Sequence, residues 1–192
     1  MALHFTKEEF KKRKFKTLES MREQKLDALL MFRQESMYWL TGYDTFGYVF
    51  FQTLLLDQKG NIILLTRAPD LRQAQNTSNI QDVRIWVDKD GSNPTDDLML
   101  ILDELNLKGK KIGIEYEAYG MTGRNALRLN KSLENYCNIE DHSELITKHR
   151  VIKSQEEIIY VKKAAELADK ALDEAWRLSL IHISEPTRRS WI

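Results

Sequence analysis

Tyr48-Val-Phe-Phe-Gln-Thr-Leu-Leu-Leu56 and Asn61-Ile-Ile-Leu-Leu-Thr66, joined by Asp57-Gln-Lys-Gly60, decide the fold class of this chain. Two apolar runs of strand length, separated by a short loop containing glycine, predict a β-hairpin. Upstream, Leu26-Asp-Ala-Leu-Leu-Met-Phe32 is a short apolar run that reads as a buried strand. Downstream, helix and strand alternate. A short helix is predicted over Pro69–Gln75 and a strand over Val83–Val87. Asn93-Pro94 then supplies an N-cap and a first-turn proline for a helix through Leu105. Lys111–Glu115 is another buried strand, followed by a helix from about Thr122 to Glu134, a strand near Tyr136–Ile139 and a short helix around Ser143 to Lys148. Strands of mixed direction with helical crossovers imply an α/β fold, a three-layer sandwich around a mixed β-sheet.

Both ends of this pattern carry helix signals. Thr6 and Glu9 form a capping box with Phe5 and Phe10 placed as its hydrophobic staple, and a basic helix follows through Phe15, Leu18 and Met21. Ser36 to Tyr43 is dense in aromatic residues and ends in the turn signal Thr41-Gly42-Tyr43. At the other end, Ser154 and Glu157 form a second capping box. After it, Ile158, Val161, Ala165, Ala168, Leu172 and Ala175 recur at spacings of three and four up to Trp176, a stripe that demands a partner surface. Leu178-Ser-Leu-Ile-His-Ile-Ser-Glu-Pro-Thr-Arg188 looks like the in-frame translation of a transposon adapter used in sequencing libraries. On that reading Arg189 to Trp191 are a barcode, the natural gene continues beyond about Arg177, and the tail is excluded from fold reasoning.

Composition bounds the function classes. The chain has 192 residues, room for one domain or for one domain and the start of another. Twenty-nine Lys and Arg balance twenty-nine Asp and Glu, so there is no electrostatic footprint for nucleic acid or an anionic membrane. The first residues lack the apolar core of a signal peptide, and no apolar run approaches membrane-spanning length. Cytoplasm is the default location. Cys137 is the one cysteine, which excludes an intrachain disulfide and a cysteine metal cage.

The familiar catalytic signatures are missing. The sequence has no His-Glu-x-x-His, no Gly-x-Ser-x-Gly, no phosphate loop and no Gly-x-Gly-x-x-Gly. Asp88-Lys-Asp-Gly-Ser-Asn93 has its glycine in the wrong place for a calcium loop and reads as a solvated turn. His142 and His149 have no carboxylate at ligand spacing and are assigned surface or capping roles, so no catalytic or metal-binding residue is expected. Cys137 reads as core filler, and Trp39 and Trp86 as core or rim aromatics. One segment concentrates exposed chemistry, Tyr43-Asp-Thr-Phe-Gly-Tyr48, a loop between buried elements where ligand contacts tend to sit. Its competing reading is a turn with an Asp cap and packed aromatics.

Taken together, Met37-Tyr-Trp-Leu-Thr-Gly-Tyr43, Leu64-Leu-Thr-Arg67, Ile112-Gly-Ile-Glu115 and Arg150-Val-Ile-Lys-Ser-Gln-Glu-Glu-Ile158 resemble the amino-terminal domain of the creatinase and Xaa-Pro peptidase family, the pita-bread metallohydrolases. The Tyr43–Tyr48 loop looks most like the creatinase and ectoine-hydrolase branch. The resemblance implies a domain over 1–149 and a linker helix with the start of a catalytic domain over 150–177, ahead of the foreign or disordered tail over 178–192. It also implies a parent hydrolase of the aminopeptidase, dipeptidase, creatinase or ectoine-hydrolase type. The family's catalytic domain binds two divalent metals, usually manganese, cobalt or zinc, through two Asp, one His and two Glu. None of these ligands maps onto this chain, so no cofactor is expected in it. Family members are commonly homodimers in which this domain covers the partner's active site, which makes Tyr43, Asp44 and Phe46 candidate substrate contacts. The implied partners are thus the chain's own catalytic domain and a second copy. The alternative is a freestanding α/β module that binds a small molecule or a protein. The helix from Ser154 disfavours it, because at ~25 cal/mol per Å2 an uncovered stripe forfeits several kcal/mol.

Overall fold

The computed structural model describes residues 3–183. It divides into a compact unit that ends at Ile152 and a second unit from Lys153 onward. The first is built on a six-stranded sheet in the order β4-β3-β2-β1-β5-β6. The strands are β1 Ala28–Met31, β2 Thr53–Asp57, β3 Ile62–Arg67, β4 Asp82–Trp86, β5 Lys111–Ile114 and β6 Asn138–Asp141. The β2 strand pairs antiparallel with β1 and β3, forming the hairpin, while all other pairings are parallel. Five strands therefore end at one edge of the sheet, the edge at which β2 begins.

Successive strand residues face opposite sides, and both sides are covered. Leu30, Leu55, Leu65, Ile112 and Ile114 pack with α4 (Pro94–Glu104) and α5 (Gly123–Leu133) through Leu98, Ile101, Leu102, Leu129 and Leu133. Leu29, Met31, Leu54, Leu56 and Leu64 pack on the other face with α1 (Lys7–Glu23), α2 (Gln34–Thr41), α3 (Ala68–Thr77) and α6 (Leu145–Val151). Burial on both faces is why β1 and β2 are continuous apolar runs rather than alternating ones. The three-layer mixed-sheet sandwich expected from the sequence is the observed fold.

The helix starts follow their caps. Thr6 accepts from the Glu9 amide, Asn93 from Thr95 and Thr122 from Asn125. Phe5 and Phe10 meet edge to face at 6.1 Å between centroids, as the staple requires. One turn further on, buried Arg13 pairs with Glu9 at 3.0 Å and donates to the Trp39 carbonyl at 2.8 Å. That charge is tolerated because it is paired and hydrogen-bonded. Gly42, with φ of 81°, closes α2 in the left-handed region and donates to the Tyr38 carbonyl at 2.7 Å.

Some expected boundaries move. The strand read as Tyr48–Leu56 begins only at Thr53, because Gly47 accepts from the Phe50 amide at 2.9 Å and turns the preceding residues into a loop. The last strand begins at Asn138 rather than Tyr136, since the Tyr136 and Cys137 amides return to the Leu133 carbonyl and finish the α5 turn. In the second unit, α7 spans Gln155–Ile183, so the helix runs past Trp176 and Arg177. Its capping box is reciprocal: Glu157 donates its amide to Ser154 Oγ at 3.2 Å, and the Ser154 amide donates to Glu157 Oε2 at 2.8 Å. The remainder of the expected tail, 184–192, lies outside the described residues.

Candidate functional site

In open α/β sheets, ligands gather beyond the carboxyl ends of the strands. Here β1 delivers Phe32 and Arg33 to that edge, β3 delivers Arg67, and β5 delivers Glu115 and Glu117. The 42–52 loop leads into β2 at the same edge. It carries the three residues singled out by sequence, and the structure separates them. Tyr43 is fully buried, and its hydroxyl donates to Gln52 Oε1 at 2.7 Å. Burial raises its pKa above the ordinary phenol value. Asp44 is exposed, with its amide donating to Thr77 Oγ1 at 3.2 Å. Phe46 is 88% exposed, and its amide donates to Gln73 Oε1 at 3.3 Å.

Loops are ordinarily mobile, but this one is anchored along its length. Buried Thr45 accepts the Gly47 amide at 2.9 Å and Gln52 Nε2 at 3.4 Å. A methyl group on Gly47 would lie 2.5 Å from both Asp70 Oδ1 and Gln52 Nε2, so glycine lets the loop press onto α3. Arg67 donates to Asp70 at 3.2 Å while its guanidinium lies 3.4 Å from the Phe50 ring centroid. Across the edge, Tyr48 and Tyr119 pack edge to face at 5.7 Å. The anchored backbone thus holds Phe46, Tyr48, Val49 and Phe50 at the surface, beside exposed Tyr119. A cavity of about 480 Å3 opens beside them, with Arg33, Tyr48, Glu117 and Tyr119 in its wall.

In the sequence Glu115 reads only as the end of a strand and of one motif block, with no role at this surface. Glu115 is completely buried and accepts the Phe32 and Arg33 amides at 3.0 Å each and the Ser36 hydroxyl at 2.6 Å. It ties down the entry to α2, where the Arg33 side chain gives no cap. Burial pushes its carboxyl up to about 7, against the downward pull of Ser36 and the two amides. Arg33 fastens the same corner, donating to the Glu117 carbonyl at 2.6 Å and to Thr147 Oγ1 at 2.5 Å.

Among the described residues no group of three or more His, Cys, Asp or Glu can hold a metal ion. His142 meets Glu140 at 3.3 Å, and Glu140 is shared with Lys111. His149 stacks on Trp39 at 6.0 Å and contacts Ser20 Oγ at 3.1 Å, a hydroxyl–imidazole pair built into the packing of α1, α2 and α6. Burial and nearby Lys16 lower its pKa. Cys137 is half-buried with its thiol pushed up to about 11, so it is a poor nucleophile. Trp86 is a core residue whose indole donates to the Phe51 carbonyl at 3.0 Å. The described residues therefore offer no ligand set that fits a metal pair.

Comparison with known proteins places this geometry in context. Residues 13–152 match the family model described as the creatinase/prolidase N-terminal domain. An uncharacterized hydrolase/peptidase of Sinorhizobium fredii is 28% identical over 90% of this chain and 46% of its own length. The ectoine hydrolase of Halomonas elongata is 27% identical over 87% of this chain and 43% of its own. The chain thus spans less than half the length of the curated relatives it matches. The crystal structure of a dipeptidase from Pyrococcus horikoshii superposes with a TM-score of 0.70 at 25% identity, covering 86% of this chain and 44% of that one.

Proposed function

The chain belongs to the creatinase/prolidase N-terminal domain family, and from that premise we propose that it is the non-catalytic amino-terminal part of a dinuclear-metal hydrolase. The catalytic domain and its metal pair belong to the portion of its relatives that this chain does not cover. In this reading the domain shapes substrate access and contributes to a homodimer, with Asp44 and Phe46 as substrate contacts and Tyr43 holding their loop from below. The observation that carries the reading is the anchored 42–52 loop. It displays an 88%-exposed phenylalanine at the edge of the sheet where five strands end, on a backbone tied to α3. An exposed aromatic on a fixed backbone loses little entropy on binding, which suits a contact surface. The relatives' activities give the substrate classes to try, an Xaa-Pro dipeptide and ectoine.

Turnover of both compounds with added manganese tests this directly. The chain as it stands is expected to give no turnover above a blank, and the same chain extended to its relatives' length is expected to hydrolyse one of them. Turnover by the unextended chain, or an inactive but folded extended protein, contradicts the reading.

A further inference from the structure

The opposite edge of the sheet, where β3 and β4 begin, holds a larger cavity of about 740 Å3 that the proposed hydrolase role does not use. Its floor is apolar: Phe10, Leu40, Ile63 and Ile80 are buried there. One wall is a single face of α1, where Lys7, Lys11 and Lys14 stand at helical spacings of four and three. The α1 helix carries seven basic residues against four acidic ones in a chain of zero formal net charge. Lys7 sits in its first turn, where the helix dipole disfavours a cation.

The facing wall does not neutralise these lysines. Its two carboxylates, Asp82 and Glu104, are engaged by Arg84, which pairs with Asp82 and donates to Glu104 at 3.1 Å. Among the described residues, Lys7, Lys11 and Lys14 form no ion pair. Lys14 lies across the hairpin turn, its Nζ 3.2 Å from where a side chain on Gly60 would begin. The groove therefore combines an apolar floor with an uncompensated row of ammonium groups. Polar groups along it are already used: the Asn61 amide and side chain both donate to Asp57, and the Asn79 carbonyl accepts from Gln81. A methylene chain needs no such partners, whereas a peptide backbone would leave its own polar groups unmet.

We propose that this groove binds a single-chain amphiphile with an anionic head, a long-chain fatty carboxylate. The alkyl chain lies on Phe10, Leu40, Ile63 and Ile80, and the carboxylate meets Lys11 and Lys14. The cavity volume is in the range of small-molecule sites, and the charge pattern selects the head group. This site is independent of the proposed hydrolase role.

Dodecanoate, kept below its critical micelle concentration, is titrated calorimetrically into the full chain at low ionic strength. Saturable one-site binding is expected. The Lys11→Met, Lys14→Met double variant keeps the apolar stems and removes the charges, and it should bind about tenfold more weakly. Dodecanol should show a similar loss against the unchanged chain. If the methionine variant aggregates, Lys11→Gln with Lys14→Gln gives the same readout. Absence of saturable binding, equal affinity in the lysine variants, or equal affinity for dodecanol each overturns the proposal. So does tighter binding of a glutamate-rich peptide, or binding to anionic vesicles without binding to free dodecanoate.

Discussion

Glu115 ends β5 without solvent contact, and the consequences of that position can be measured. Its carboxyl rises from an ordinary 4.5 to about 7 on folding. The folded state therefore holds a proton that the unfolded state releases between those values. The resulting stabilisation is complete below about pH 4.5 and is lost as pH rises through 7, amounting to roughly 3 kcal/mol at most. Denaturant unfolding across this window should show stability from this group falling with pH, and Glu115→Gln should flatten the slope. An unchanged slope would place the carboxyl at its ordinary value. Gly47 and Gly120 give a second test at this scale. A methyl on Gly120 would lie 2.3 Å from the Phe50 carbonyl oxygen, and one on Gly47 would strike Asp70 and Gln52. Because the obstacle at Gly120 is backbone, Gly120→Ala should cost about 1–3 kcal/mol. Gly47→Ala should cost no more, since side chains can shift. Thermal unfolding of the two variants decides the order.

Among the elements, those with local caps were legible and those with distant ones were not. Thr6, Asn93, Thr122 and Ser154 each announce a helix within three residues of themselves. The α2 helix has no such signal, because the Phe32 and Arg33 amides just before it are met by a carboxylate 83 and 82 residues away in sequence. The Tyr48–Phe51 stretch reads as strand by composition, yet Tyr48 and Phe50 serve the surface of a loop and only Phe51 turns into the core. Of the loop residues picked by sequence, exposure sorted Asp44 and Phe46 from Tyr43, and no pattern in the chain encodes that difference. For α7, Ser154→Ala removes one half of a reciprocal cap and should cost about 1 kcal/mol of helix stability, visible as lost helical circular dichroism. Val161, Leu172 and Trp176 are more than half exposed along that helix. Exposed apolar surface of this kind drives association. The chain trimmed after Ile152 should therefore be the more nearly monomeric form by light scattering at equal concentration. Equal monodispersity would show that α7 is not the cause.

At the scale of the molecule, five strands ending at one edge gather residues from 32 to 119 into one surface, which motif spacing alone does not show. The family and the sandwich were readable because blocks such as Met37–Tyr43 and Arg150–Ile158 keep their order along the chain. The cavity beside Arg33 and Tyr119 required the sheet order itself. What the arrangement claims is that its exposed loop meets substrate. Steady-state kinetics of the chain extended to its relatives' length, compared with its Phe46→Ala variant, test that claim most directly. The account predicts a KM raised by about tenfold with unaltered folding, the loss of roughly one well-packed aromatic contact. Kinetic constants identical to those of the unchanged protein would contradict it.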